Sequence, residues 1–192
     1  MTERKHPDMW VDPEDDPRDD ETGAKGEKAI LAEYLDRYRM TLEMKCDGLD
    51  AEQLAQRSVP PSTLSLLGLV RHMAKVEHSW FRRVLEQQDL PRLYFSEEDR
   101  DLDFNGAVGD DTVVAEAWEA WWREVVHARK VYEELDLDTT VLVHGRPPRR
   151  ATSSCTWSRS TPVTWATPTC SGSASTAAPA SDRSERLRRV AP

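Results

Sequence analysis

The chain is short of the features that most often announce a function. Only three of its 192 residues are cysteine, Cys46, Cys155 and Cys170. The number is odd and no two lie close together, so neither a disulfide framework nor a cysteine-based zinc site is expected. Cys46 reads as a small buried apolar residue. Long hydrophobic runs are missing too. The most apolar stretch, Leu64 to Val70, falls far short of the roughly 20 residues that cross a bilayer. Met1 to Trp10 lacks the apolar core of a signal peptide. A cytoplasmic protein with no membrane partner is the expectation. No glycine-rich phosphate loop, nucleophile elbow or His-Glu-x-x-His motif is present.

Positive charge is also scarce where it would matter. The whole chain carries a net charge of −9. Residues 1–150 hold 21 basic and 33 acidic side chains, whereas residues 151–192 hold five arginines against Asp182 and Glu185. An acidic body is a poor surface for phosphate backbones, so no nucleic-acid partner is expected.

What remains is helical patterning. Residues 1–24 are acidic and proline-rich with little apolar content, and read as a flexible arm. From Lys25 to Leu49, Ile30, Tyr34, Tyr38, Leu42 and Cys46 recur at the helical period, and Gly48 closes the helix. Asp50 is placed to cap a short turn, Ala51 to Gln56. Pro60 and Pro61 break the chain, and Ser62 is a fitting N-cap for a second helix over Thr63 to Gln87. Residues 88–110 read as an irregular loop anchored by Leu93, Tyr94, Phe95 and Phe104, long enough to lie over a site. A third helix follows from Asp111 or Thr112, with Val114, Trp118, Trp121, Val125, Ala128, Tyr132 and Leu135 on one face. Leu137 to Val143 reads as extended.

From Ala151 the composition changes. Of the last 42 residues, 27 are Ala, Ser, Thr or Pro, and nothing there closes a helical core. A disordered tail is one reading. The genetic code supports a sharper one. If each codon is taken one base earlier, Trp165 followed by Ala166 must encode glycine. Val163 with Thr164, and Ala166 with Thr167, each allow histidine. Residues 152–180 then permit an amphipathic helix containing His-Val-Gly-His, and Ser181 with Asp182 permits a stop. Residues 151–192 are therefore expected to be a frameshifted tail replacing a fourth helix.

Among the histidines, His72 lies on the core side of the second helix, between Leu69 and Val76. Spacing alone favours a packed, hydrogen-bonded ring. His78 and His127 fall off the apolar stripes and are expected to be solvated. Glu77 sits near the apolar face and is expected to pair with a neighbouring base such as Arg71 or Arg83, the alternatives being a second ligand or a site carboxylate.

Ser65-Leu66-Leu67-Gly68-Leu69-Val70-Arg71-His72-Met73, then Glu77 and Trp80-Phe81, resembles the second helix of the DinB-like superfamily. That superfamily includes mycothiol-dependent S-transferases and maleylpyruvate isomerase-like proteins. The sequence is most similar to the actinobacterial branch that contains the mini-circle protein. The likeness runs over residues 25–146, including Arg39, Lys45, Gly48-Leu49, Ser58 and Pro60, and the shifted reading of the tail resembles the family's last helix.

The resemblance implies an all-α, up-down four-helix bundle over residues 25–150, here with three helices intact and the fourth lost. It implies a divalent metal of the zinc or nickel class held by three histidines, of which His72 alone stands in this chain. Such a site leaves an open position where a bound thiol loses its proton near neutral pH. The implied partners are a low-molecular-weight thiol and an electrophile, and a homodimer is compatible with the resemblance. The parent activity is then a metal-dependent, thiol-linked transferase or isomerase, and this chain as written is expected to be inactive. The rival reading is a non-catalytic bundle serving as an interaction or stress-response module.

Overall fold

The computed structural model describes residues 10–18, 23–143 and 146–150. They fall into two compact units. Trp10 to Asp16 belong to one, whose regular feature is a 3-10 turn over Pro13–Asp15. The described residues from Pro17 onward belong to the other, which is built on helices. The expected tail, 151–192, lies outside the described residues.

Helix α1 spans Glu27–Cys46 and ends at Asp47 and Gly48, whose φ of +74° suits glycine. The short α2, Ala51–Ala55, carries the expected cap. The Asp50 carboxylate accepts from Gln53 N at 2.8 Å while the Gln53 side chain accepts from Asp50 N at 3.0 Å.

Helix α3, Leu66–Glu77, starts later than the sequence suggested. Ser62 closes the proline turn instead, donating its N–H to Val59 O and accepting from Leu64 N. The N-cap is Ser65, whose hydroxyl accepts from Gly68 N at 3.1 Å. From His78 to Leu85 the same rod continues as a π-helix. The one-turn helix α4 is Leu102–Asn105, and the long α5 is Asp111–Glu134, capped by Asp110. Strands β1, Thr140–Val143, and β2, Arg146–Arg150, make a small antiparallel hairpin. The architecture is all-α with that one appendage.

Ion pairs fix the directions of the long helices. Arg71, Arg82 and Glu86 meet Glu116, Glu124 and His127 in that order, so α3 and α5 run the same way. Lys28 reaches the Glu133 and Leu135 carbonyls, and Asp36 meets Arg129, so α1 runs opposite to α5. Simple up-down alternation therefore fails between α3 and α5. The physical reason is the connection: parallel neighbours need a crossover that travels back along the helix, and residues 86–110 supply it.

Leu67, Val70, Met73 and Ala74 of α3 pack with Ala117, Ala120, Trp121 and Val125 of α5, and Leu42, Cys46 and Leu54 join them. On α1 the fully buried residues, Arg39, Leu42, Met44 and Cys46, all lie in the second half. Leu42 and Cys46 are buried as expected, but Ile30 and Tyr34 are exposed.

Candidate functional site

His72 is placed by α3 beside the crossover. Its Nδ1 lies 2.7 Å from Oδ2 of Asp103 in α4, and its ring stacks on Phe104 with centroids 5.2 Å apart. The ring is about one-third exposed, whereas Asp103 is almost fully buried at 1%. One helical turn on, Lys75 donates to Asp103 Oδ1 at 3.0 Å. Burial alone would raise the Asp103 carboxyl. Hydrogen bonds from His72 and Lys75 and the Lys75 charge outweigh it and hold the group below its ordinary value. An ionised Asp103 accepts from a proton-bearing Nδ1 of His72, an arrangement that in a neutral ring leaves the Nε2 lone pair for an outside partner.

Arg71, the preceding residue, braces the same element. Its guanidinium donates to the Asp103 and Leu102 carbonyls at 3.1 and 3.2 Å, and its Cζ sits 4.0 Å from the Tyr94 ring centroid. Tyr94 in turn donates to Glu116 at 2.9 Å.

Glu77 is buried, but its partner is neither Arg71 nor Arg83. Arg39 of α1 grips it with two hydrogen bonds, 2.8 and 2.9 Å long. Arg71 is already committed to α4, and only a residue from a neighbouring helix reaches the buried side where Glu77 points.

His78 is not solvated: only 5% of its surface is exposed. The solvated expectation weighed only the apolar stripe of one helix; α5 packs against this part of the rod, with Glu124 paired to Arg82 and close enough to act on the His78 ring. Burial lowers the affinity of its ring for a proton, with Glu124 opposing and Arg82, Arg83 and Arg123 reinforcing. His127 is half-buried and meets Glu86 at 2.6 Å. His78 and His127 both lie away from the His72–Asp103 pair in sequence register and join no common cluster with it. His144 lies outside the described residues.

Asp103 is the site residue that sequence reading passed over. Nothing in its spacing ties it to His72, 31 positions earlier. The one available signal was the Leu102–Phe104 pair of apolar residues flanking it just before the Asn105-Gly106 turn.

A ring held through Nδ1 by a buried carboxylate is the usual companion of a metal-binding imidazole. His72 thus fits the part of one ligand. Among the described residues, however, no group of three histidine, cysteine or carboxylate side chains is gathered for a metal ion. No helix among them is long and apolar enough to cross a membrane.

The described residues thus define an all-α protein that offers one braced histidine beside a long crossover. A family model described as Mycothiol-S-transferase matches residues 30–161, well over half the chain. The chain belongs to the mycothiol S-transferase family. No curated protein and no solved structure matches it.

Proposed function

We propose that the parent activity of this fold is transfer of a low-molecular-weight thiol, mycothiol or a close analogue, to a small electrophile at a divalent metal bound through His72. The observation that supports this most is the Asp103–His72 contact, which readies Nε2 as a ligand. At this place the described residues supply one imidazole, and one is not a metal site. The missing two ligands are assigned to the out-of-frame reading of the tail, at Val163–Thr164 and Ala166–Thr167. On this reading residues 151–192 are a frameshifted product, and the chain as written is inactive.

The experiment compares the chain as written with a frame-corrected version. Resequencing the gene should find an insertion or deletion between about codons 144 and 152. The corrected protein should bind one zinc or nickel ion per chain and consume mycothiol in the presence of an electrophile. A corrected protein that folds yet holds no metal would favour the rival, a non-catalytic interaction or stress-response module. A gene without an insertion or deletion relative to close relatives would sink the frameshift.

A further inference from the structure

A four-residue helix cannot hold itself in water, because its first turn fixes several residues for a single hydrogen bond. Helix α4 is such a helix, and it carries the carboxylate that His72 depends on. Something outside α4 must hold it. Phe104 packs it against the core, and two side chains of α3 besides His72 hydrogen-bond to it or its lead-in. Lys75 bonds the Arg100 carbonyl and the Asp103 carboxylate, so it steadies the charge. Arg71 bonds the backbone itself, at two consecutive carbonyls, with a rigid planar fork.

The fork is in turn packed on the Tyr94 ring and faces Glu116 of α5. Only 7% of Arg71 is exposed. A second feature points the same way. A Cβ on Gly106, just after α4, would lie 2.8 Å from Arg71 Nη2 and 2.8 Å from the Leu102 carbonyl oxygen. The absence of a side chain at 106 is what lets the guanidinium reach the backbone.

We infer that Arg71 is a positioning residue for His72: it clamps the backbone of α4 so that Asp103 holds His72 with the proton on Nδ1 and Nε2 free. The chemical consequence rests on the reading of His72 as a ligand, but the clamp is a property of the chain without any metal.

The test is nitrogen-15 NMR of the full chain at pH 8, free of metal, reading the His72 tautomer from the two ring-nitrogen shifts. His72→Gln assigns the signals, and the Trp121 indole signal serves as the control for an intact fold. The unaltered chain should show mainly the Nδ1–H form. Asp103→Ala removes the acceptor altogether, and serves as the reference for a released ring. Arg71→Met and Gly106→Ala should both move His72 toward the Nε2–H form that free imidazole prefers. Lys75→Met should leave the Nδ1–H form dominant, because the α4 backbone stays clamped. If Arg71→Met fails to fold, Gly106→Ala, which keeps the cation, decides. Retention of the Nδ1–H form in a folded Arg71→Met or Gly106→Ala chain would overturn the inference, and so would its absence from the unaltered chain. Because no metal is present, the result stands apart from whether the corrected protein proves to be a transferase.

Discussion

Arg39 and Glu77 meet through two parallel hydrogen bonds, 2.8 and 2.9 Å long, with both side chains withdrawn from water. Asp36 extends the pair, touching Arg39 at 2.9 Å and Arg129 of α5 at 3.0 Å, so one polar chain ties the three long helices together. Burial pulls the Arg39 guanidinium toward a lower pKa, but the Glu77 and Asp36 charges and bonds more than offset this and raise it.

Breaking this pair on one side should hurt more than replacing both sides. Removing one partner of a buried ion pair leaves an uncompensated charge and costs about 3–5 kcal/mol. Glu77→Ala or Arg39→Met alone should therefore lower the denaturation midpoint sharply. The double variant Arg39→Met/Glu77→Leu should recover most of that loss, because no orphan charge remains. Urea melts of the four chains, compared as a double-mutant cycle, check this. Additive losses would mean the pair is solvated in solution.

Cys46 should be chemically silent while the fold is intact. Burial, with a smaller push from Glu43, raises its thiol to about 12. The thiolate is the reactive form, so almost none exists at pH 8. Alkylation followed by peptide mapping should find Cys46 unmodified in native buffer and fully modified in denaturant. Rapid native labelling would show that the end of α1 opens.

Much of this was legible in the sequence, and the residues that were not share a cause. The Asp50 cap, the Gly48 stop, the burial of Leu42 and Cys46 and the α5 stripe through Trp121 and Val125 all follow from local pattern, which a single helix carries by itself. The pairing of Glu77 with Arg39 and of His72 with Asp103 spans 38 and 31 positions. Such choices are made when helices dock, after local propensity has been spent. His78 follows the same rule: it falls off the apolar stripe of its own helix, yet it is buried where α5 docks, beside Glu124. Ile30 and Tyr34 have the period of a core face, yet they are exposed, because no described helix lies against them.

Acid should weaken α5 at its N-cap. The Asp110 carboxylate accepts from the Thr112 hydroxyl and from the Thr112 and Val113 backbone N–H groups, and these bonds lower its pKa. The folded value thus lies below the unfolded value of about 3.9. Over that window the unfolded chain binds more protons, so stability rises with pH. The cap's contribution is complete above the unfolded value and is lost as pH falls through the lowered folded value. Asp110→Asn keeps an N-cap oxygen without the titration. Its thermal midpoint should fall less than that of the parent below pH 4, and both should behave alike at pH 7. Identical acid limbs would show that Asp110 is not the group responsible.

The last prediction concerns the surface that three long helices leave uncovered. Phe81 and Trp121 are buried at 3% and 0% exposure, while Trp80 and Trp118 are half-buried. The uncovered apolar side chains lie elsewhere: Ile30 and Tyr34 on α1 and Val126 on α5 are 41%, 53% and 55% exposed. On the frameshift proposal, the correct reading of the tail is an amphipathic helix with a use for such a surface. At roughly 25 cal/mol per Å² of apolar area, a helix burying several hundred Å² contributes on the order of 10 kcal/mol. That is comparable to the whole net stability of an ordinary domain, about 5–15 kcal/mol. The chain as written should therefore melt at a lower temperature, over a broader range and with more dye binding, while the frame-corrected chain should unfold in one sharp transition. Thermal melts followed by tryptophan fluorescence, with dye binding alongside, distinguish the two. Replacing Ile30 and Tyr34 by Gln and Ser should then destabilise the corrected chain and leave the chain as written almost unchanged, since only the former buries them. Equal, sharp transitions in both chains would mean that α1, α3 and α5 suffice to fold, and that a fourth helix would serve the site rather than the core.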